Sequence, residues 1–83
     1  MSRGLSLEGK VRVLKLSKVD GLTPEEIVED LAQSFGFTCK DEPAYFLKKI
    51  ENSIMKMLHK SKARKKQRLV KLLIQSGLIG LSE

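Results

Sequence analysis

Residues 22–36 read LTPEEIVEDLAQSFG, and this stretch decides the fold class because it holds both the start and the stop signals of a helix. Thr23 is a favourable N-cap, Pro24 fits the first helical position, and Glu26 can complete a capping box with Thr23. The glycine that closes the stretch can adopt the left-handed conformation at which helices commonly end. The sequence therefore predicts a helix over residues 24–35.

The apolar residues of this helix recur at helical spacing, so that one face is expected to be buried. They are Ile27, Val28, Leu31, Ala32 and Phe35. A second helix is predicted from about Pro43 to Lys60, where Asp41 before Pro43 repeats the capping pattern. Its apolar seam is expected to comprise Leu47, Ile50, Ile54 and Met57, widened by Phe46, Ser53, Met55 and Leu58. We interpret it as the central helix of the fold.

Two segments flank these helices. A further helix is expected from about Ser61 to Ser76, ended by Gly77, with a second half that supplies core residues. These core residues are Leu69, Val70, Leu72, Leu73 and Ile74. The apolar tail from Leu78 to Leu81 is expected to pack back on the bundle.

Residues 5–19 fit two structures. Leu7, Val11, Leu14 and Lys18 share a helical face, whereas Val11-Arg12-Val13 followed by Leu14 and Leu16 also suits a short strand. Helix is favoured, because no convincing second strand is present to pair with the first. The predicted fold is an all-α, compact single-domain bundle of about four helices over residues 1–83, and a short strand is the alternative for its N-terminal segment.

Size and composition narrow the class of protein. The chain has 83 residues, 41% of them hydrophobic, and a net charge of +6. This composition is typical of a small globular domain and favours polyanions or acidic proteins as partners. A single cysteine, Cys39, cannot form an internal disulfide, and the sequence contains no membrane span. We expect an intracellular protein, cytoplasmic or nuclear.

The basic residues are concentrated near the C-terminal end. Between residues 56 and 71 the chain has eight basic side chains and no acidic one. A fixed surface of this kind can follow a phosphate backbone. The predicted function is that of a small regulatory protein that binds DNA or RNA. The candidate contact residues are Lys56, Lys60, Lys62, Arg64, Lys65, Lys66, Gln67, Arg68 and Lys71, in which Lys60, Arg64 and Arg68 form a ridge on one helix.

The segment from Glu26 to Phe37, which includes Ala32 four residues before Gly36, resembles the helix and turn of helix-turn-helix DNA binders. The resemblance covers about a seventh of the chain and implies a DNA-binding helix pair. The sequence departs from the pattern, because the connection from Gly36 to Lys40 is long and Glu42 stands where a core residue is expected. An ordinary capped helix ending at glycine is the alternative that the sequence favours.

A second function remains open. The last helix is basic in its first half and apolar in its second, which suits an adaptor that docks on an acidic protein partner. Catalysis finds little support, because His59 is the single histidine and Cys39 the single cysteine, and glycine-rich loops are absent. We therefore expect no enzyme activity, no cofactor and no metal site.

Overall fold

Four helices form the fold. The computed structural model describes residues 5–60 and 62–80, which contain α1 (Leu7–Lys18), α2 (Pro24–Phe35), α3 (Pro43–Lys60) and α4 (Ala63–Gln75). Of the described residues, 73% are helical and none is in a strand. The all-α prediction is confirmed, and the ambiguous segment 5–19 forms the helix Leu7–Lys18 rather than a strand.

The predicted ends of α2 are confirmed in detail. The Thr23 hydroxyl accepts a hydrogen bond from the Glu26 N–H at 3.2 Å, and the Glu26 carboxylate accepts one from the Thr23 N–H at 2.9 Å. Gly36 ends the helix with φ 65°, a left-handed conformation that favours glycine. Thr23 and Glu26 therefore set the start of this helix, and Gly36 sets its end.

The start of α3 differs from the prediction. The Phe46 N–H donates to the Glu42 carbonyl, so the N-cap position belongs to Glu42 and Asp41 lies one residue before it. The Asp41 carboxylate instead accepts a hydrogen bond from Lys49 Nζ at 3.2 Å. Asp41 therefore stabilises the connection before α3 through an ion pair with the second turn of the helix.

The most enclosed helix is α1. Val13 is fully buried, Val11 is 2% exposed, and Leu14 and Leu16 are also buried. α1 packs against each of the other three helices, as α3 does. The prediction that α3 is central is therefore incomplete, because α1 shares that position.

The core is aliphatic, apart from one phenylalanine. In addition to the four α1 side chains, it contains Ile27, Leu31, Phe46, Ile50, Ile54, Leu69 and Leu73. Two predicted core residues lie on the surface, since Phe35 is 49% and Met55 51% exposed. Phe35 is at the last turn of α2, with its ring 5.9 Å from the Arg12 guanidinium. Ala32, also expected on the buried face, is exposed.

α2 and α4 each pack on α1 and α3, and in residues 5–60 and 62–80 they do not contact each other. One ion pair joins α1 to each flank: Arg12 to Asp30 of α2 at 2.9 Å, and Glu8 to Arg68 of α4. The acidic helix α2 and the basic helix α4 are thus separated by the α1–α3 pair.

The connection after α2 and the segment after α4 can also be compared with the prediction. Residues 36–42 connect α2 to α3, which is longer than the tight turn of a helix-turn-helix pair. The interpretation of α2 as an ordinary capped helix is the one that the structure supports. α4 ends before Gly77, which has φ 80°, and Leu78 packs on the core. Ser61 and Leu81, also parts of predicted segments, lie outside the described residues.

Neighbouring positions on α3 test the packing. Ile54 is 2% exposed and belongs to the core, whereas Met55 is 51% exposed. Ile54→Ala should lower the free energy of unfolding by about 2 to 5 kcal/mol, because it removes buried methyl groups and leaves a cavity. Met55→Ala, measured by the same urea titration, should change it by less than about 0.5 kcal/mol. Equal effects of the two substitutions would contradict the orientation of α3.

Candidate nucleic-acid interface

The predicted contact residues lie at the surface. All nine are exposed, on the last turns of α3, in the connection and on α4. We call this set the basic surface: Lys56, Lys60, Lys62, Arg64, Lys65, Lys66, Gln67, Arg68 and Lys71. Its exposure leaves these side chains accessible to solvent, and therefore to a ligand.

The predicted ridge on a single helix is wrong. Lys60 is the last residue of α3, and Lys62 is the N-cap of α4 with extended backbone angles. The helix is therefore interrupted between Lys60 and Arg64, and the spacing of four residues between them no longer places them on one face. The two cations belong to the ends of two different helices that meet at the connection.

Within α4, three residues of the basic surface share the outward side. A helix turns by about 100° per residue, so Arg64, Gln67 and Lys71 lie opposite the buried Leu69 and Leu73. Arg64 and Lys71 are about 10 Å apart along the helix axis, at a rise of about 1.5 Å per residue. This outward stripe offers two cations, with the Gln67 amide between them.

Arg68 differs from the other cations because it already has a partner. Its guanidinium donates a hydrogen bond to the Glu8 carboxylate of α1. This hydrogen bond is the main reason why the pKa of the Glu8 carboxyl is lowered from its usual value. Both side chains remain largely exposed, by 64% and 48%, and such pairs contribute little to stability. A phosphate could therefore compete with Glu8 for Arg68.

The first turn of α4 has an unfavourable charge. Lys62, at the N-cap, has no acceptor atom and cannot cap the first N–H groups. Arg64 and Lys65 follow within the first turn, which contains no acidic residue. Helix N-termini carry partial positive charge, so cations there lower stability whereas an anion raises it. The start of α4 is therefore electrostatically suited to an anion.

Sequence reasoning missed a part of the surface on α3. Lys49, Asn52, Ser53 and Met57 line a shallow groove together with Lys56. Lys10 of α1 also reaches this side, where its Nζ donates to the Ser53 hydroxyl at 2.9 Å. The spacing could have revealed these residues, because Lys49, Asn52 and Lys56 recur at steps of three and four. Lys49 and Asn52 lie just before the acid-free stretch 56–71 on which the prediction rests.

In residues 5–60 and 62–80, no three His, Cys, Asp or Glu side chains are grouped to hold a metal ion. The Cys39 thiol donates a hydrogen bond to the Asp41 carbonyl at 3.3 Å. None of the helices in these residues is both long and apolar enough to cross a membrane.

Comparison of the chain with protein-family models, with curated proteins and with solved structures finds no match.

The effect of the cations at the start of α4 on the free energy of unfolding can be tested by substitution. Lys65→Glu should raise the free energy of unfolding by about 0.3 to 1 kcal/mol, because a carboxylate at the third helical position is attracted by the helix N-terminus. Lys71→Glu makes the same change of charge in the last half of α4 and serves as the control. Thermal unfolding should show a gain for Lys65→Glu alone; an equal gain for both variants would mean that net charge, and not the helix terminus, is responsible.

Proposed function

We propose that this protein binds the phosphate backbone of DNA or RNA through the basic surface and acts by binding, without catalysis or a cofactor. The observation that carries the proposal is the stretch 56–71, which contains no acidic residue. All eight of its basic side chains are exposed. The phosphates of a nucleic acid form a similarly continuous run of negative charge.

The arrangement of the helices supports the proposal. In the described residues α2, which carries Glu25, Glu26, Glu29 and Asp30, packs on α1 and α3 without contacting α4. Among the ion pairs of the described residues, Arg68 with Glu8 is the one that involves a member of the basic surface. The positive potential of the surface is thus weakly neutralised by the protein itself.

The proposed binding has limited sequence preference. Base edges are read by side chains such as Arg, Gln and Asn held on a fixed element. The basic surface offers Gln67 between Arg64 and Lys71 for this purpose, and its remaining members, Arg68 and five lysines, suit phosphate. The protein would therefore bind many sequences with similar affinity. We place it inside the cell, where nucleic acid is found and where a lone cysteine such as Cys39 stays reduced.

The salt dependence of binding tests the proposal directly. Lys62→Gln with Lys65→Gln removes two cations at the start of α4. If each contacts one phosphate, the slope of log affinity against log salt concentration on duplex DNA should flatten by about 1.8. Fluorescence anisotropy of a labelled duplex and a labelled RNA hairpin, each at several salt concentrations, gives the slope.

The matched control removes two cations elsewhere. Lys40 and Lys48 are exposed and lie outside the basic surface. Lys40→Gln with Lys48→Gln changes the net charge equally, and it should leave the slope within about 0.3 of the wild type. Equal slopes for all three proteins would show that the start of α4 does not contact phosphate, and a wild type that binds neither nucleic acid at low salt would refute the proposal.

The pairing of Arg68 gives a second test. Glu8→Gln removes the carboxylate that holds Arg68 and should free the guanidinium for a further phosphate contact. We expect tighter binding and a salt slope that is steeper by about 0.9 on duplex DNA. Glu29→Gln removes the same charge from the exposed surface of α2. It should leave the slope unchanged; the same slope in both variants would mean that Arg68 has no role in binding.

A further inference from the structure

An apolar groove lies on a lateral side of α4, next to the outward stripe. It is lined by Ala63, Lys66, Gln67, Val70, Lys71 and Ile74. Val70 and Ile74 are partly covered, yet in the described residues they do not belong to the side chains that pack on the core. Of the five core residues that the sequence predicts in α4, Leu69 and Leu73 are buried and Leu72 packs on the core, whereas Val70 and Ile74 do not. Two branched apolar side chains thus lie together on the surface, one turn apart.

The spacing of the groove is that of a helix-pairing seam. Ala63, Gln67, Val70 and Ile74 follow each other at steps of four, three and four residues. Alternation of three and four is the pattern by which one helix packs along another in a coiled coil. The seam covers about 16 Å at a rise of about 1.5 Å per residue, which is three turns of helix. It therefore fits another helix better than a compact ligand.

The charges beside the seam define the partner. Arg64, Lys66 and Lys71 occupy the positions that flank a seam and contact the flanks of the opposing helix. Two copies of α4 would bring these cations together, and like charges there oppose pairing. The acidic helix α2 of a second copy is also a poor occupant, because its apolar residues Ile27 and Leu31 are buried in its own core.

We propose that this groove docks an amphipathic helix of a protein partner whose apolar seam is flanked by acidic residues. The seam of the partner would cover Val70 and Ile74, and its carboxylates would face Arg64, Lys66 and Lys71. The proposal goes beyond phosphate binding, because it depends on apolar contact. Since the three cations are shared with the basic surface, the partner helix and nucleic acid compete for α4. The short seam indicates a weak and reversible complex.

The probe is a synthetic peptide of three heptads with leucine at the two seam positions and glutamate at the flanking positions. Repulsion between its glutamates keeps the peptide from pairing with itself. Its binding to the full chain is followed by fluorescence anisotropy of a labelled peptide at low salt. A second peptide with lysine at the flanking positions is the charge control, and it should bind at least tenfold more weakly.

The decisive variant is Val70→Gln with Ile74→Gln, which removes the apolar contact without changing the charge. It should weaken binding of the acidic peptide at least tenfold and leave the melting temperature and the affinity for duplex DNA unchanged. Val19→Gln with Met55→Gln, which alters two exposed apolar residues elsewhere, should have no effect on the peptide. The unchanged affinity for DNA keeps this test separate from that of the proposed function.

Three results would overturn the proposal. Undiminished peptide binding by the groove variant would show that charge alone attracts the peptide. Loss of folding in that variant would show that Val70 and Ile74 belong to the core. Sedimentation that reveals a wild-type dimer, dissociated by the groove variant, would assign the groove to a second copy of this chain.

Discussion

The enclosure of α1 by the other three helices is the constraint on which the rest of the structure depends. Val11 and Val13 are buried, and α1 packs on α2, α3 and α4. A chain of 83 residues has room for a single small core. The burial of branched aliphatic side chains in this core is the main favourable contribution to the free energy of folding. α2 and α4 must therefore lie along the α1–α3 pair, and their positions follow from this packing.

The charge distribution follows from the same packing. α2 and α4 pack on α1 and α3 without contacting each other in the described residues, and the acidic side chains of α2 form no ion pair there with the basic surface. Arg12 of α1 forms a partly buried, bidentate pair with Asp30 of α2. Glu8 of α1 forms an exposed pair with Arg68 of α4, which contributes little to stability. The cations at the start of α4 lower the stability of that helix. A polyanion or an acidic partner would reverse this cost, which is the physical link between the fold and the proposed binding.

The sequence predicts those parts of the fold that depend on local chemistry. Thr23 and Gly36 set the ends of α2 by capping and by a left-handed residue, and both are confirmed. The segment of α1 is ambiguous in sequence because a helix packed by three neighbours has no single apolar face, so its period is blurred. The break after Lys60 is not marked by glycine or proline. The contact between Arg68 and Glu8, which are 60 residues apart, depends on the tertiary packing and leaves no local signal.

In the proposed complex, nucleic acid contacts the basic surface and not the acidic helix α2. The most direct test is an NMR titration of the isotope-labelled full chain with a short DNA duplex and with an RNA hairpin. Amide signals of residues 60–71 should shift progressively, while those of α2 stay in place and the core signals remain dispersed. Shifts centred on α2, or no shifts with either nucleic acid at low salt, would contradict this mode of binding.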